Sequence, residues 1–141
     1  MGFQIRILDE QFGKTKLSIF ELDHPTETLT VRELITRRVE EEIARFNSTF
    51  ADPKRIEPQH RMFLAGITGT SPEALLNGNS KSARRKPIDP RPAVKTALKA
   101  FEAGRYYILF NDQQVEHLEH QIKLTSKSQA VFLRLTPLVG G

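Results

Sequence analysis

Cysteine is absent from this chain of 141 residues. Its absence excludes disulfides, thiolate metal sites and a cysteine nucleophile, and it is compatible with a reducing cytosol. Long apolar runs are missing too. No stretch approaches the roughly 20 apolar residues of a membrane-spanning helix, and the N-terminus runs straight into alternating residues instead of the apolar block of a secretion signal. A soluble, cytoplasmic protein with no membrane partner is expected, so the glycosylation-type triplet Asn47-Ser48-Thr49 carries no weight. Charge of one sign is scarce as well. Lys plus Arg number 21 against 17 Asp plus Glu, and the net +4 does not by itself argue for nucleic-acid binding. No phosphate-cradling glycine loop, nucleophile elbow or paired-carboxylate arrangement occurs. No catalytic residue is therefore assigned, and the chain is not expected to be an enzyme. His117 and His120 have no third ligand nearby and read as surface residues, so neither a metal nor a bound cofactor is expected.

What is present is a moderate apolar content of 38%. That is enough for one modest core and too little for two, so residues 1–141 read as a single domain. Phe3, Ile5 and Ile7 alternate with Gln4, Arg6 and Leu8, the period-2 pattern of a strand with one buried face. A polar turn from Asp9 to Thr15, containing Gly13, follows, then the apolar run Leu17 to Leu22, so the two segments read as a hairpin. Pro25 ends it, since it cannot donate to a ladder and biases His24 away from helix.

Thr30-Val31-Arg32-Glu33 is a capping-box pattern that predicts a helix start. Val31, Leu34, Ile35, Val39, Ile43 and Phe46 fall on one stripe, with Arg37, Arg38, Glu40, Glu41 and Arg45 elsewhere, as far as Asn47. Residues 48–104 read as an insertion. Within it only Met62-Phe63-Leu64 and Pro72 to Leu76 look ordered, and residues 77–92 read as a flexible basic loop with little apolar surface to offset the entropy of ordering. Helical spacing returns over residues 92–103 through Val94, Leu98 and Phe101, with Pro92 in the first turn and Gly104 as the stop. Arg105 to Phe110 is a dense β-prone run, Asn111-Asp112 a turn pair, and Gln113 to Val115 a short second arm. Val131, Leu133 and Leu135 alternate with Ala130, Phe132 and Arg134 in a last strand that passes directly into Thr136-Pro137-Leu138-Val139-Gly140-Gly141.

Hairpin, long helix, strand, short strand and final strand, in that order, is the element order of the β-grasp fold. Tyr106 to Val115, then Ile122 and Leu124, then Phe132-Leu133-Arg134-Leu135 before a terminal Gly-Gly, resemble ubiquitin over roughly two-thirds of the chain. The resemblance implies an α+β, ubiquitin-like β-grasp fold, a mixed sheet packed on a helix, with residues 48–104 as an inserted helix and loop segment. The ending Pro137 to Gly141 is equally similar to that of the sulfur carriers of cofactor biosynthesis. Where ubiquitin has an arginine before its glycines, this chain has Val139.

Such an ending carries chemistry because a carboxylate must be activated before an amine or thiol can attack it. The resemblance implies a partner adenylating enzyme that uses ATP and receives residues 136–141 as an exposed tail. Gly140 and Gly141 remove bulk where attack occurs, and Pro137 restricts the tail so that less entropy is lost on docking. Gly141 is the expected acyl donor, already terminal and in no need of processing. Arg134, Leu135, Pro137, Leu138 and Val139 are the expected recognition residues for the activating enzyme. In a protein modifier the acyl group passes through a thioester on a conjugating enzyme to an amine of a target protein, and an isopeptidase reverses the bond. In a sulfur carrier it becomes a thiocarboxylate. A noncovalent binding module is the third possibility.

If Tyr106, Ile108 and Phe110 face inward, Tyr107 and Leu109 face outward beside Leu8 and Phe132, with Arg6 and Arg134 at the rim. Such a patch is either a partner site, in a position similar to the hydrophobic patch of ubiquitin, or is covered by the insertion. Lys81, Arg84, Arg85 and Lys86 read as a solvated loop, since no aromatic residue interleaves with them for nucleic-acid stacking.

Overall fold

A computed structural model describes residues 2–11, 16–48 and 89–134. In chain order its elements are β1 (Phe3–Gln11), β2 (Leu17–His24), β3 (Thr28–Thr30), α1 (Val31–Ser48), α2 (Pro90–Glu102), β4 (Tyr107–Phe110), β5 (Gln113–Val115), β6 (Gln121–Lys123) and β7 (Ser128–Arg134). The fold is α+β. A five-stranded sheet runs in the order β2-β1-β7-β4-β5. It is mixed, because β1 and β7 are parallel while the other neighbours are antiparallel. β3 and β6 form a separate two-stranded sheet. This architecture is compatible with a β-grasp.

Helix α1 starts where the capping box predicts. The Glu33 amide donates to Thr30 Oγ1 at 3.1 Å, and the Thr30 amide donates to Glu33 Oε1 at 3.0 Å, so two otherwise unbonded donors are satisfied reciprocally. Its stripe Val31, Leu34, Ile35, Val39, Ile43 and Phe46 is buried against Ile5, Ile7, Phe20 and Leu22 of the sheet. Between the hairpin and the helix lies β3, which the sequence does not suggest. Its three residues are too few to show a period, and they are strand only because Leu29 and its neighbours pair with Gln121–Lys123.

Helix α2 begins at Pro90, two residues before the expected Pro92. Asp89 is the N-cap, its carboxylate accepting from the Arg91 amide at 3.0 Å, and Pro90 occupies a first-turn position where the missing N–H costs nothing. Residues 90–92 of the expected loop are therefore helical. The rest of that loop, Met62 to Leu64, Pro72 to Leu76 and the basic cluster Lys81 to Lys86 lie outside the described residues. Gly104, at φ +74°, turns the chain out of the helix in a conformation other residues adopt only with strain.

Strand β1 continues through Asp9 to Gln11, where a turn is expected from sequence. These polar residues pair in register with Phe132, Leu133 and Arg134 of the central strand, and tertiary pairing overrides local composition. At the β4–β5 turn, Asn111 and Asp112 both have positive φ, 47° and 68°, as a two-residue type I′ hairpin requires. Asn111 also reaches across the sheet. Its amide donates to the Gln129 carbonyl and its side-chain oxygen accepts from the Gln129 amide, both at 3.0 Å, which locks the hairpin tip to β7.

Candidate functional site

The outer face of the sheet is read directly from the pairing. Leu8, Val131 and Leu109 lie side by side across β1, β7 and β4, with Gln114 of β5 next in the row. One row along, Glu10, Leu133 and Tyr107 are neighbours. Leu8, Tyr107 and Leu109 are half-buried and belong to one surface, as expected. Arg6, opposite Glu21 and beside Gln129, borders the patch.

Phe132 is not part of it. The expected facing of β7 is reversed: Phe132 sits opposite Ile108 and beside Asp9 on the inner face and is 1% exposed. Arg134, two residues on, follows Phe132 in the alternation and is likewise not an outer-face residue; it is half-buried and pairs with Gln11 at the end of the ladder. In their place Val131 and Leu133 lie on the outer side of the sheet, Leu133 half-buried and Val131 only 2% exposed between its neighbours. The physical reason is that β7 is the middle strand, with a neighbour on each side. Apolar residues suit both its faces, so Ala130 to Leu133 contains no polar residue by which its facing could be read. The larger side chain, Phe132, goes to the face that two helices close.

That inner face also holds a charge. Arg38, which the helical stripe places away from the core, is fully buried. Its guanidinium donates to both carboxylate oxygens of Asp9, the Nη2 contact being 2.7 Å, and its Nε donates to Glu42 at 3.2 Å. The same group lies 4.7 Å from the centre of the Phe132 ring and 5.9 Å from that of Phe20. Burial works against the charge, but the bonds and proximity of Asp9 and then Glu42 outweigh it, so the arginine pKa is raised and the cation persists. A position next to Arg37 on an otherwise polar turn gives no sign of this from sequence. The partner, Asp9, comes from another element.

Aromatic rings continue the layer toward α2. Tyr106 and Phe132 stack with centroids 6.1 Å apart, and Phe101 of α2 tilts against Tyr106 at 5.7 Å. The Tyr106 hydroxyl donates to the Ala97 carbonyl at 2.7 Å. Burial raises the pKa of this phenol above its usual value, and the nearby Arg38 charge offsets only part of that.

At the far end of β2, a hollow of about 350 Å³ is lined by Gly2, Asp23, His24 and Pro25. His24 Nε2 donates to the Thr28 carbonyl at 3.2 Å, while Nδ1 is buried with no partner among the described residues. Nδ1 is closed to solvent, so the hollow offers little specific chemistry. Among the described residues no three His, Cys, Asp or Glu side chains come together to hold a metal, and His117 and His120 are exposed. No described helix is long and apolar enough to cross a membrane.

Of the residues expected to carry the tail chemistry, only Arg134 is described. Leu135, Pro137, Leu138, Val139, Gly140 and Gly141 lie outside the described residues. Comparison of the chain with protein-family models, with curated proteins and with solved structures gives no match.

Proposed function

We propose that this chain is a ubiquitin-like protein modifier on a β-grasp fold, with Gly141 as its acyl donor. The observation that most supports the reading is the course of β7. It is the middle strand of the sheet, parallel to β1 and packed through Phe132 on the core beneath α1, and its sequence passes from Arg134 directly into Leu135 to Gly141. A tail that follows a strand paired on both sides would be offered to a partner from a fixed base, and two glycines would leave the carbonyl carbon open to attack.

In the proposed reaction an activating enzyme joins the Gly141 carboxylate to the α-phosphate of ATP and releases pyrophosphate. A partner thiolate attacks the acyl-adenylate, expelling AMP and forming a thioester. A target amine then attacks the thioester, the thiolate leaves, and an amide bond remains. This chain contributes only the acyl group and the surfaces that partners hold. The half-buried outer-face residues Leu8, Tyr107, Leu109 and Leu133, seated around the buried Val131, are the proposed contact for conjugating enzyme or isopeptidase.

The test is to add N-terminally tagged protein and ATP to an extract of the source cells and follow the tag by intact mass. The expected result is ATP-dependent adducts with other proteins, stable to thiols and lost on deleting Gly140 and Gly141. Replacement of one terminal oxygen by sulfur would assign the chain to sulfur carriers instead. Binding without any covalent change, unaffected by the deletion, would leave a noncovalent module.

A further inference from the structure

Two large aliphatic side chains stand out as exposed among the described residues, Leu17 at 57% and Ile19 at 38%. Both lie on β2, which is an edge of the five-stranded sheet. Among the described residues, no backbone group from Leu17 to Leu22 is bonded to anything except β1. Only at Asp23 is the edge closed, where the Arg37 guanidinium donates to the carbonyl. A free strand edge is a row of unmet donors and acceptors that binds an extended chain unless proline, charge or distortion guards it. The strand has no proline, and its one irregularity, a register shift opposite Ile7 and Leu8, leaves Ile19 without a partner on β1. The shift thus adds to the exposed apolar surface rather than screening it.

The composition of the edge selects the occupant. It carries two aliphatic residues separated by Ser18, with Lys16 before them and Glu21 beyond. A foreign strand of strong charge finds no run of opposite sign to meet, but the strand matches itself. Laid antiparallel about a two-fold axis at Ser18, Leu17 of each copy falls opposite Ile19 of the other, and Lys16 comes beside Glu21. No like charges are set opposite one another. We infer that the β2 edge pairs with the β2 edge of a second copy of this chain, forming a two-fold dimer with a continuous ten-stranded sheet (two of the five-stranded sheets). The tail-bearing strand β7 lies two strands away from the edge and stays clear of the contact. The interface is small, so the dimer is a weak one.

Sedimentation of the full chain from about 10 μM to about 1 mM, the range in which so small a contact associates, is expected to show the mass rising from monomer toward dimer. Leu17→Lys with Ile19→Lys places cations against each other and is expected to raise the dissociation constant about tenfold or more, with circular dichroism unchanged. The absence of native cysteine makes a geometric check simple. Under oxidising conditions Ser18→Cys is expected to form a disulfide-linked dimer faster than Lys127→Cys, a turn position away from the edge, because only the former thiols face each other across the axis. A monomer throughout the range, a dimer that survives the double lysine change, or equal cross-linking at the two positions overturns the inference. So would an extended segment of another protein binding β2 of a chain that stays monomeric.

Discussion

The two faces of the sheet use neighbouring residues of the same strand for opposite ends. Phe132 and Leu133 are consecutive, yet Phe132 is sealed beneath Arg38 and Tyr106 while Leu133 is half-buried beside Tyr107 on the outside. The inner face tolerates a full charge because it supplies two carboxylates and two rings to surround it. The outer face is mostly apolar, with Tyr107 among its aliphatic residues, and is bordered by Arg6, Glu10, Gln114 and Gln129; among the described residues it has no buried ion pair. Packing on the inside answers to stability. The outside keeps four half-buried apolar side chains, Leu8, Tyr107, Leu109 and Leu133, apart from the main core, which is the property expected of a surface used in contacts.

That contrast can be broken most sharply on β7 itself. Phe132→Ala is expected to cost about 4 kcal/mol by removing a core ring, whereas Leu133→Ala is expected to cost only about 1 kcal/mol for a partly exposed side chain, both measured by urea denaturation. Equal costs would mean that the two faces are equally packed. Next in size is the ion pair. Asp9→Ala is expected to destabilise by about 3 kcal/mol because it strips a buried guanidinium of its two-oxygen partner, and adding Arg38→Met to that variant is expected to restore stability rather than lower it further.

Smaller again is Tyr106→Phe, expected to cost about 1 kcal/mol through the lost bond to Ala97. It has a pH signature. The raised pKa means the folded phenol stays neutral while the unfolded one ionises, so its contribution is complete below the ordinary tyrosine pKa of 10.0 and declines as pH rises above it. Thermal melts at increasing alkalinity are expected to fall less steeply for Tyr106→Phe than for the parent. The smallest effect on stability is expected for Leu109→Gln, within about 1 kcal/mol. In an extract with ATP, however, it is expected to reduce conjugate yield while leaving the fold intact. A variant that conjugates like the parent removes the outer face from the proposed contact.

Where the sequence was legible, local rules and tertiary packing pointed the same way. The capping box at Thr30, the stripe of α1, the turn pair Asn111-Asp112 and the inward set Tyr106, Ile108 and Phe110 all stand as expected. Legibility failed where pairing decides. Strand β3 has no pattern of its own, Asp9 to Gln11 look like a turn until β7 lies beside them, and Phe132 cannot be assigned a face from an unbroken apolar run. Arg38 failed for another reason, since its burial depends on Asp9 meeting it from a strand 29 positions earlier in sequence. The outer patch was half visible for the same cause, with Leu8, Tyr107 and Leu109 recognised and Val131 and Leu133 misassigned along with Phe132.

The position of β7 has a consequence for how the molecule is made. Of the described strands it is the last to emerge during synthesis, yet it lies between β1 and β4 and is the only strand bonded to both. Until it arrives, the two hairpins on either side have no common ladder, and each leaves an inner edge open to the wrong partner. A nascent chain halted before Ser128 would therefore hold two separated halves of a sheet. Chaperone association would be expected to peak at that length and to fall abruptly over the next few residues.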